Sequence, residues 1–500
     1  MIAINIEDFK IALSDLSEIC RVVSFIFLVP LLFTLYYAKS YNFSIFVRAL
    51  AFILPAVILY LMYVAFRNIK KDQRTRTKHV MITVSLAWII ITLVGALPFI
   101  LSNTLSPLDS IFESVSGWTT TGMTMIKVPE VLFQKSEKDI LFYRSFIQWV
   151  GGIGIVVLAL FVFMRRGTSA MDYYTLEKGD QRIKPSLRST VIEIWKIYSI
   201  YSIVCIVLLF ISGLSLFDSI NHTFTAIATG GFSTYSDSVG HFNNHPNGLI
   251  IDTILVVFML IGSISFLIHF RIFEGRYREI FGNIEAKYMF IILSLSIILI
   301  IVILQVNRNE TNILENLRVS VFHVVAASTC TGFSIRDINS WPDSVQVILM
   351  VLMYIGGFYG STAGGIKILR FAVIINVIQY CIKRLSFPRS AVLRIKIKGN
   401  RIGGEEIIYV FGLSIVYIII AILGSLVLMD IGFNGTQSMS LSLSAMGNVG
   451  LTPVPSDLWF NINPVGKITL IILMLLGRLE IFPMLVFLTS IFHSYRGVKR

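Results

Sequence analysis

Ten separate runs of apolar residues constrain this chain more than any other feature, near 19–37, 45–66, 79–101, 141–164, 195–216, 248–270, 288–305, 344–380, 406–430 and 465–492. A helix crossing hydrocarbon needs about 20 apolar residues, so the expected architecture is an all-α integral membrane protein with ten transmembrane helices. Composition agrees: 55% of the 500 residues are hydrophobic and 14% charged, with a mean hydropathy of +0.78, outside the range of soluble domains. The first run follows an acidic-leaning start (Glu7, Asp8, Asp15, Glu18) with no basic segment before it, so no cleavable signal peptide is expected.

The net charge of +13 is distributed like that of a membrane protein, not a nucleic-acid binder. Basic residues collect between runs two and three (Arg67, Lys70, Lys71, Arg74, Arg76, Lys78), after run four (Arg165, Arg166, Lys178, Arg182, Lys184, Arg188) and after run six (Arg271, Arg276, Arg278). They collect again between runs eight and nine (Lys383, Arg384, Arg389, Arg394, Lys396, Lys398, Arg401) and at the tail (Lys499, Arg500). With ten spans these segments share one side, which the positive-inside rule makes cytoplasmic together with both termini. The expected location is the cytoplasmic (inner) membrane, in contact with lipid.

An internal repeat then organises the chain. Gly122-Met123-Thr124, Gly231-Phe232-Ser233, Gly332-Phe333-Ser334 and Gly450-Leu451-Thr452 each follow one apolar run and precede another. Each is reached through a short segment (108–118, 218–228, 317–328, 437–446) too brief to span a bilayer and suited to a re-entrant half-helix. A second register supports the first: Gly151-Gly152, Gly262-Ser263, Gly356-Gly357 and Gly477-Arg478 recur in the following runs. The expected divisions are a two-helix accessory segment at 1–70 and pore repeats at 71–185, 186–280, 281–400 (with a broken second helix) and 401–500.

Each unit adds two spans, so the four units enter the membrane in the same direction, and parallel units can surround an axis along the membrane normal. Irregular backbone at membrane depth is tolerated only where it lines water or is buried in protein. Four helix–pore loop–helix units are therefore expected to share one pseudo-fourfold lumen. Each half-helix would aim its partly negative C-terminus at that lumen, which favours cations. The residues leading into the glycines are Thr120-Thr121, Thr229-Gly230, Cys330-Thr331 and Asn448-Val449, none of them acidic. A filter of backbone carbonyls for a monovalent cation fits better than an acidic ring.

The segments SGWTTTGMT, ATGGFST, STCTGFS and GNVGLTP resemble the four filter loops of the Trk/Ktr/HKT potassium transporters, and the two extra leading runs favour its TrkH branch over the shorter KtrB branch. The resemblance covers essentially the whole chain. It implies potassium uptake through a filter at Thr120, Thr121, Gly122, Thr229, Gly230, Gly231, Cys330, Thr331, Gly332, Asn448, Val449 and Gly450. It further implies a homodimer, with no cofactor on this chain, and a cytoplasmic TrkA-type ring that binds ATP/ADP or NAD(H). Met123 and Leu451 replace the aromatic of loops two and three, Cys330 replaces threonine, and Asn448-Val449 breaks the threonine pattern, so the fourth loop is expected to select less tightly.

Two features look like a gate. The run 344–380 would be roughly 56 Å long as one helix, against about 30 Å of hydrocarbon, and its middle reads GGFYGSTAGG. Ile366 between Gly365 and Lys367 spoils a phosphate-loop spacing. Gly356, Gly357, Gly360, Ser361, Thr362, Gly364, Gly365 and Lys367 are expected to form a movable intramembrane loop, as the resemblance also implies. Arg478 lies in mid-run, where arginine costs about 2.5–3.5 kcal/mol. Glu480 lies on another face of that helix, so any partner must come from another element, and Arg478 is expected to face the axis below the filter.

His222 and His323 hold one register ahead of their loops, with Glu113 and Leu441 in the other two units, and read as anchors of the half-helices. Pro483 is expected to kink the last span. Cys20, Cys205 and Cys381 read as packing residues. None of the seven histidines forms an HExxH or HxxxxD pair, so an enzyme is disfavoured. Parallel repeats favour a channel-like path, with sodium- or proton-coupled symport of the KtrB type as the alternative.

Overall fold

The computed structural model describes residues 6–37, 43–69, 77–134, 137–164, 187–307, 312–387, 396–397 and 400–497. Lys70, Lys71, Arg74, Arg76, Arg165, Arg166, Lys178, Arg182, Lys184, Arg389, Arg394, Lys398, Lys499 and Arg500 lie outside them.

Unbroken apolar sequence becomes helix, and the outward faces remain apolar. In Ile284–Val306, Ser296, Ile300 and Leu304 are buried whereas Phe290, Ile298 and Val306 are exposed. Such a surface needs a hydrocarbon solvent, and the protein is an integral membrane protein. Six helices among the described residues are long and apolar enough to span: Asp8–Tyr36, Phe46–Phe66, Lys78–Leu101, Ser189–Ile211, Ile284–Val306 and Gly404–Asp430. The first begins earlier than its apolar run suggested, because Asp8 is buried against Lys78 and His79, at 2.7 and 2.6 Å.

Four short helices follow long ones: Pro107–Trp118, Leu216–Ile227, Ile313–Ser328 and Gly435–Gly447. Each is started by a side-chain cap, in which Ser106, Ser215, Asn312 and Asn434 accept from the N–H of Asp109, Asp218, Leu314 and Gln437. The third is longer than expected, since its cap lies at Asn312. Ion pairs tie neighbouring units near these starts, Lys467 to Asp109 and Arg318 to Asp252.

The helices that follow the loops depart most from expectation. Lys138–Met164 runs unbroken through Gly151-Gly152. The run 248–270 is not one span: Gly248–Ser263 and Phe266–Phe273 meet at 104°. Pro464–Arg478 and Phe482–Ser490 meet at 111°. That bend precedes Pro483, which sits in the first turn of the later helix; the chain turns at Glu480 and Ile481, with φ of 53° and 63°. Asp343–Ile355 and Ile368–Ser386 flank the expected break. Breaks therefore occur in units two, three and four, not three alone. Cys20 and Cys205 are buried, but Cys381 is exposed, on a helix whose neighbouring Ile378 and Ile382 also face outward. The only strands among the described residues form a short hairpin pairing Lys396–Ile397 with Asn400–Arg401.

Candidate functional site

All four half-helices end in the same pair of reverse hydrogen bonds. Thr120 N–H donates to Gly117 O and Thr121 N–H to Ser116 O; the pair recurs as Thr229 to Ala226 with Gly230 to Thr225. It recurs as Cys330 to Ala327 with Thr331 to Ala326, and as Asn448 to Ala445 with Val449 to Ser444. This is a Schellman ending, which normally places glycine in the left-handed position. Here Thr120, Thr229, Cys330 and Asn448 occupy it, at φ of 54°, 52°, 58° and 52°. Left-handed non-glycine residues cost on the order of 1–3 kcal/mol each and persist where their surroundings over-determine them.

Two residues later Gly122, Gly231, Gly332 and Gly450 are left-handed again, at 86°, 75°, 78° and 92°. They also close the loops into a ring. A Cβ on Gly122 would lie 2.2 Å from Gly230 O, on Gly231 2.0 Å from Thr331 O, on Gly332 1.7 Å from Val449 O, and on Gly450 2.3 Å from Thr121 O. Each loop thus abuts the next, and the fourth returns to the first. The glycines of the following helices bring those helices against the half-helix ends: a Cβ on Gly151, Gly262 or Gly477 would fall 2.1, 2.4 or 1.9 Å from the carbonyl oxygen of Trp118, Ile227 or Met446.

Behind the ring lies a second set of contacts. Glu113 Oε1 accepts from Thr124 Oγ1 at 2.9 Å, His222 Nε2 lies 3.0 Å from Ser233 Oγ, and His323 Nε2 lies 3.1 Å from Ser334 Oγ. Both histidine Nδ1 atoms face helix carbonyls, of Asp218 and Val319. At His222 this leaves Nε2 to accept from Ser233 in the neutral ring, whereas Ser334 Oγ donates to Arg336 O, which His323 Nε2 also faces at 3.3 Å. The anchors expected from sequence therefore hold the loops themselves. Leu441 leaves the fourth unit without one; there Ser444 Oγ accepts from Gly450 N–H at 3.0 Å.

Against the ring lies the segment 356–367. Its neck is closed by Ile366 N–H to Tyr354 O and Lys367 N–H to Ile355 O, with Gly356 and Gly365 packed backbone to backbone at φ of 71° and 72°. Its tip occupies the break in unit two, where Phe358 N–H donates to Ser263 O, Thr362 N–H to Gly262 O, and Phe266 N–H to Gly360 O. The carbonyls freed by that break are satisfied by the loop, as membrane-depth backbone requires. Ser361 hydrogen-bonds within the loop, to Phe358 O, and Gly357 packs on Ala363. Thr362 Oγ1 lies 3.1 Å from Thr229 Oγ1, and a Cβ on Gly364 would lie 2.0 Å from Gly447 O. The loop thus touches the inner ends of loops two and four.

Arg478 is buried and donates to Thr362 O at 2.8 Å and to Gly151 O at 2.9 Å. Its partners come from other elements, as expected, but it ends a helix at a bend instead of lying mid-helix. Nearby, Arg370 pairs with Glu480 at 2.5 Å and the Lys367 ammonium donates to Ala363 O. The sequence expectations do not single out Arg370, Arg144 or Gln148, and they mark Glu480 only as lying on another face from Arg478. Arg144 was detectable by the test that singled out Arg478, a charge inside an apolar run. It donates to Glu113 at 2.7 Å, Ser233 O and Thr124 Oγ1, and stacks on Phe232.

These features define a class: a membrane protein of repeated helix–loop–helix units whose glycine loops close a ring. A family model described as TrkH, cation transport protein, matches residues 49–496. An uncharacterized cation transporter of Methanocaldococcus jannaschii is 34% identical over 496 residues, 99% of this chain and 98% of its own. The Trk system potassium uptake protein TrkH of Salmonella typhimurium is 34% identical over 85% of this chain and 88% of its own length. The crystal structure of the potassium transporter TrkH from Vibrio parahaemolyticus superimposes with a TM-score of 0.83 at 29% identity, over 97% of this chain and 99% of that one. The chain belongs to the TrkH family of cation transport proteins.

Proposed function

We propose that this chain takes up potassium through a pore at the centre of the four-loop ring, with Thr120–Gly122, Thr229–Gly231, Cys330–Gly332 and Asn448–Gly450 as its filter. The closed ring of glycine contacts carries the reading: backbone held this close is able to replace hydration water with carbonyl oxygens, and no carboxylate stands among the twelve residues. Four half-helix C-termini add negative potential where a cation would sit. The relatives named as potassium transporters support the choice of ion.

The loop 356–367 and Arg478 act as the gate. Lys367, Arg370 and Arg478 with Glu480 leave a surplus of positive charge on the inner side of the ring, a barrier to cations in low dielectric. The half-helix N-termini face outside, and the basic segments, with both termini, face the cytoplasm. The chain works as a homodimer in the cytoplasmic membrane, controlled by a nucleotide-binding ring on its basic face, in keeping with the Trk system named for its relatives.

The test is rubidium, potassium and sodium flux in proteoliposomes, with and without a sodium or pH gradient. Potassium and rubidium should pass without either gradient, and sodium far more slowly. Flux that demands a gradient would replace the channel reading with coupled symport.

A further inference from the structure

Loops one and three brace themselves with a pair of hydroxyls on either side of the left-handed residue: Thr119 Oγ1 to Thr121 Oγ1 at 2.7 Å and Thr329 Oγ1 to Thr331 Oγ1 at 2.8 Å. Loop two has Ala228 and Gly230 at those places, and loop four Gly447 and Val449, so neither can form the pair. In loop four the left-handed residue supplies an amide, with Asn448 Nδ2 reaching Thr121 Oγ1 and Met474 O, each at 3.0 Å.

In loop two the amide arrives from another unit. Gln148, fully buried in Lys138–Met164, donates from Nε2 to Gly230 O at 2.6 Å and accepts at Oε1 from Phe232 N–H at 3.1 Å. It grips the peptides on both sides of the ring glycine Gly231. A Cβ on Gly230 would lie 2.5 Å from Gln148 Cδ, so the amide fills the volume that a threonine occupies in loops one and three. We infer that Gln148 is the positioning residue of loop two, replacing in trans the hydroxyl brace that this loop lacks, and that it helps set the ion preference of the pore. The inference rests on the filter reading above. The grip needs donor and acceptor together, which an amide supplies and a carboxylate or alkyl group does not. A site built on fixed oxygen positions loses discrimination when one loop relaxes.

The experiment measures potassium-to-sodium permeability ratios of the full-length protein in liposomes. Gln148→Leu should lower the ratio about tenfold, the size expected when buried hydrogen bonds are lost, while rubidium flux persists. Adding Ala228→Thr and Gly230→Thr to Gln148→Ala installs the hydroxyl pair and should restore the ratio to within about twofold of the parent. An unchanged ratio in Gln148→Leu, or a triple variant no more selective than Gln148→Leu, overturns the inference. If Gln148→Leu fails to assemble, Gln148→Met carries the test: it keeps the side-chain length but supplies neither the N–H donor to Gly230 nor the amide oxygen to Phe232, and an unaltered ratio is fatal. Gly332→Ser run alongside separates the two readings. If it loses selectivity while Gln148→Leu does not, the filter stands and Gln148 falls; if neither changes, the filter assignment fails first.

Discussion

The ring and the loop beneath it both depend on left-handed glycines, but they are held in different ways. Each ring glycine is enclosed by a neighbouring unit, so no loop can move without displacing the next. The 356–367 loop is closed by its own neck, and its tip is held to unit two by backbone hydrogen bonds, joined by the Thr362 hydroxyl and by Arg478. A closed cycle of contacts resists local displacement, whereas a hairpin with a closed neck can swing as one body about it. On the function proposed above, selectivity would belong to the first construction and gating to the second.

The largest effect that would break this contrast is at Gly332. A serine there must adopt φ near 78° with its Cβ 1.7 Å from Val449 O, a strain on the order of several kcal/mol. Potassium-to-sodium selectivity should fall about a hundredfold, equivalent to about 2.7 kcal/mol, with Gly231→Ser behaving alike. Unchanged permeability ratios in both would mean that the ring does not select.

Opening the second construction should alter rate instead of preference. Arg478→Ala removes a buried charge and the contacts to Thr362 O and Gly151 O; basal rubidium flux should rise about tenfold, the scale of one screened charge interaction. Deletion of residues 360–364 should do at least as much. A purified variant that conducts no faster than the parent would remove Arg478 from the gate.

Thr362 sharpens the comparison because it belongs to both regions. Its hydroxyl lies 3.1 Å from Thr229 Oγ1 and within reach of the Ile227 and Gly262 carbonyls, at 3.1 and 2.9 Å. Thr362→Val keeps the shape and the backbone acceptor for Arg478. Losing about 1 kcal/mol of hydrogen bonding should raise basal flux about fivefold, measured by tracer uptake, with less than a twofold change in selectivity. A selectivity loss larger than the flux gain would show that the loop supports the filter more than it closes the pore.

Sequence alone exposed what repetition exposes. Four glycines in one register, the short half-helix segments and the overlong run 344–380 were readable because a helix of known rise must fit a bilayer of known thickness. The bend after Ser263 was not, because no proline or glycine cluster marks it, whereas Pro483 announced a kink in the last span although the chain turns slightly earlier, at Glu480 and Ile481. Ser263 stops helix formation because its carbonyl and that of Gly262 accept from the 356–367 loop, a contact made between distant units. Gln148 was hidden for the same reason: its partners, Gly230 and Phe232, lie in another repeat. Cys381, expected to pack, is exposed: hydropathy does not say which helix face the rest of the chain covers.

The smallest effect concerns the outer anchors, where the four units differ in kind. Three tie the hydroxyl after the loop glycine to Glu113, His222 or His323, and the fourth has Leu441. His323→Leu copies the fourth unit into the third. It removes a neutral hydrogen bond to Ser334 that sits beyond the ring, while the Schellman ending and the Thr329–Thr331 pair still hold the inner part of the loop. Selectivity should therefore drop only about twofold, well below the loss at Gly332, because one net hydrogen bond of about 0.5–1.5 kcal/mol is shared over a braced loop. Bi-ionic permeability measured on His323→Leu beside Gly332→Ser ranks the two. If the histidine variant loses as much as the glycine variant, the loops are held from their outer ends, and the ring contacts follow from that anchoring instead of causing it.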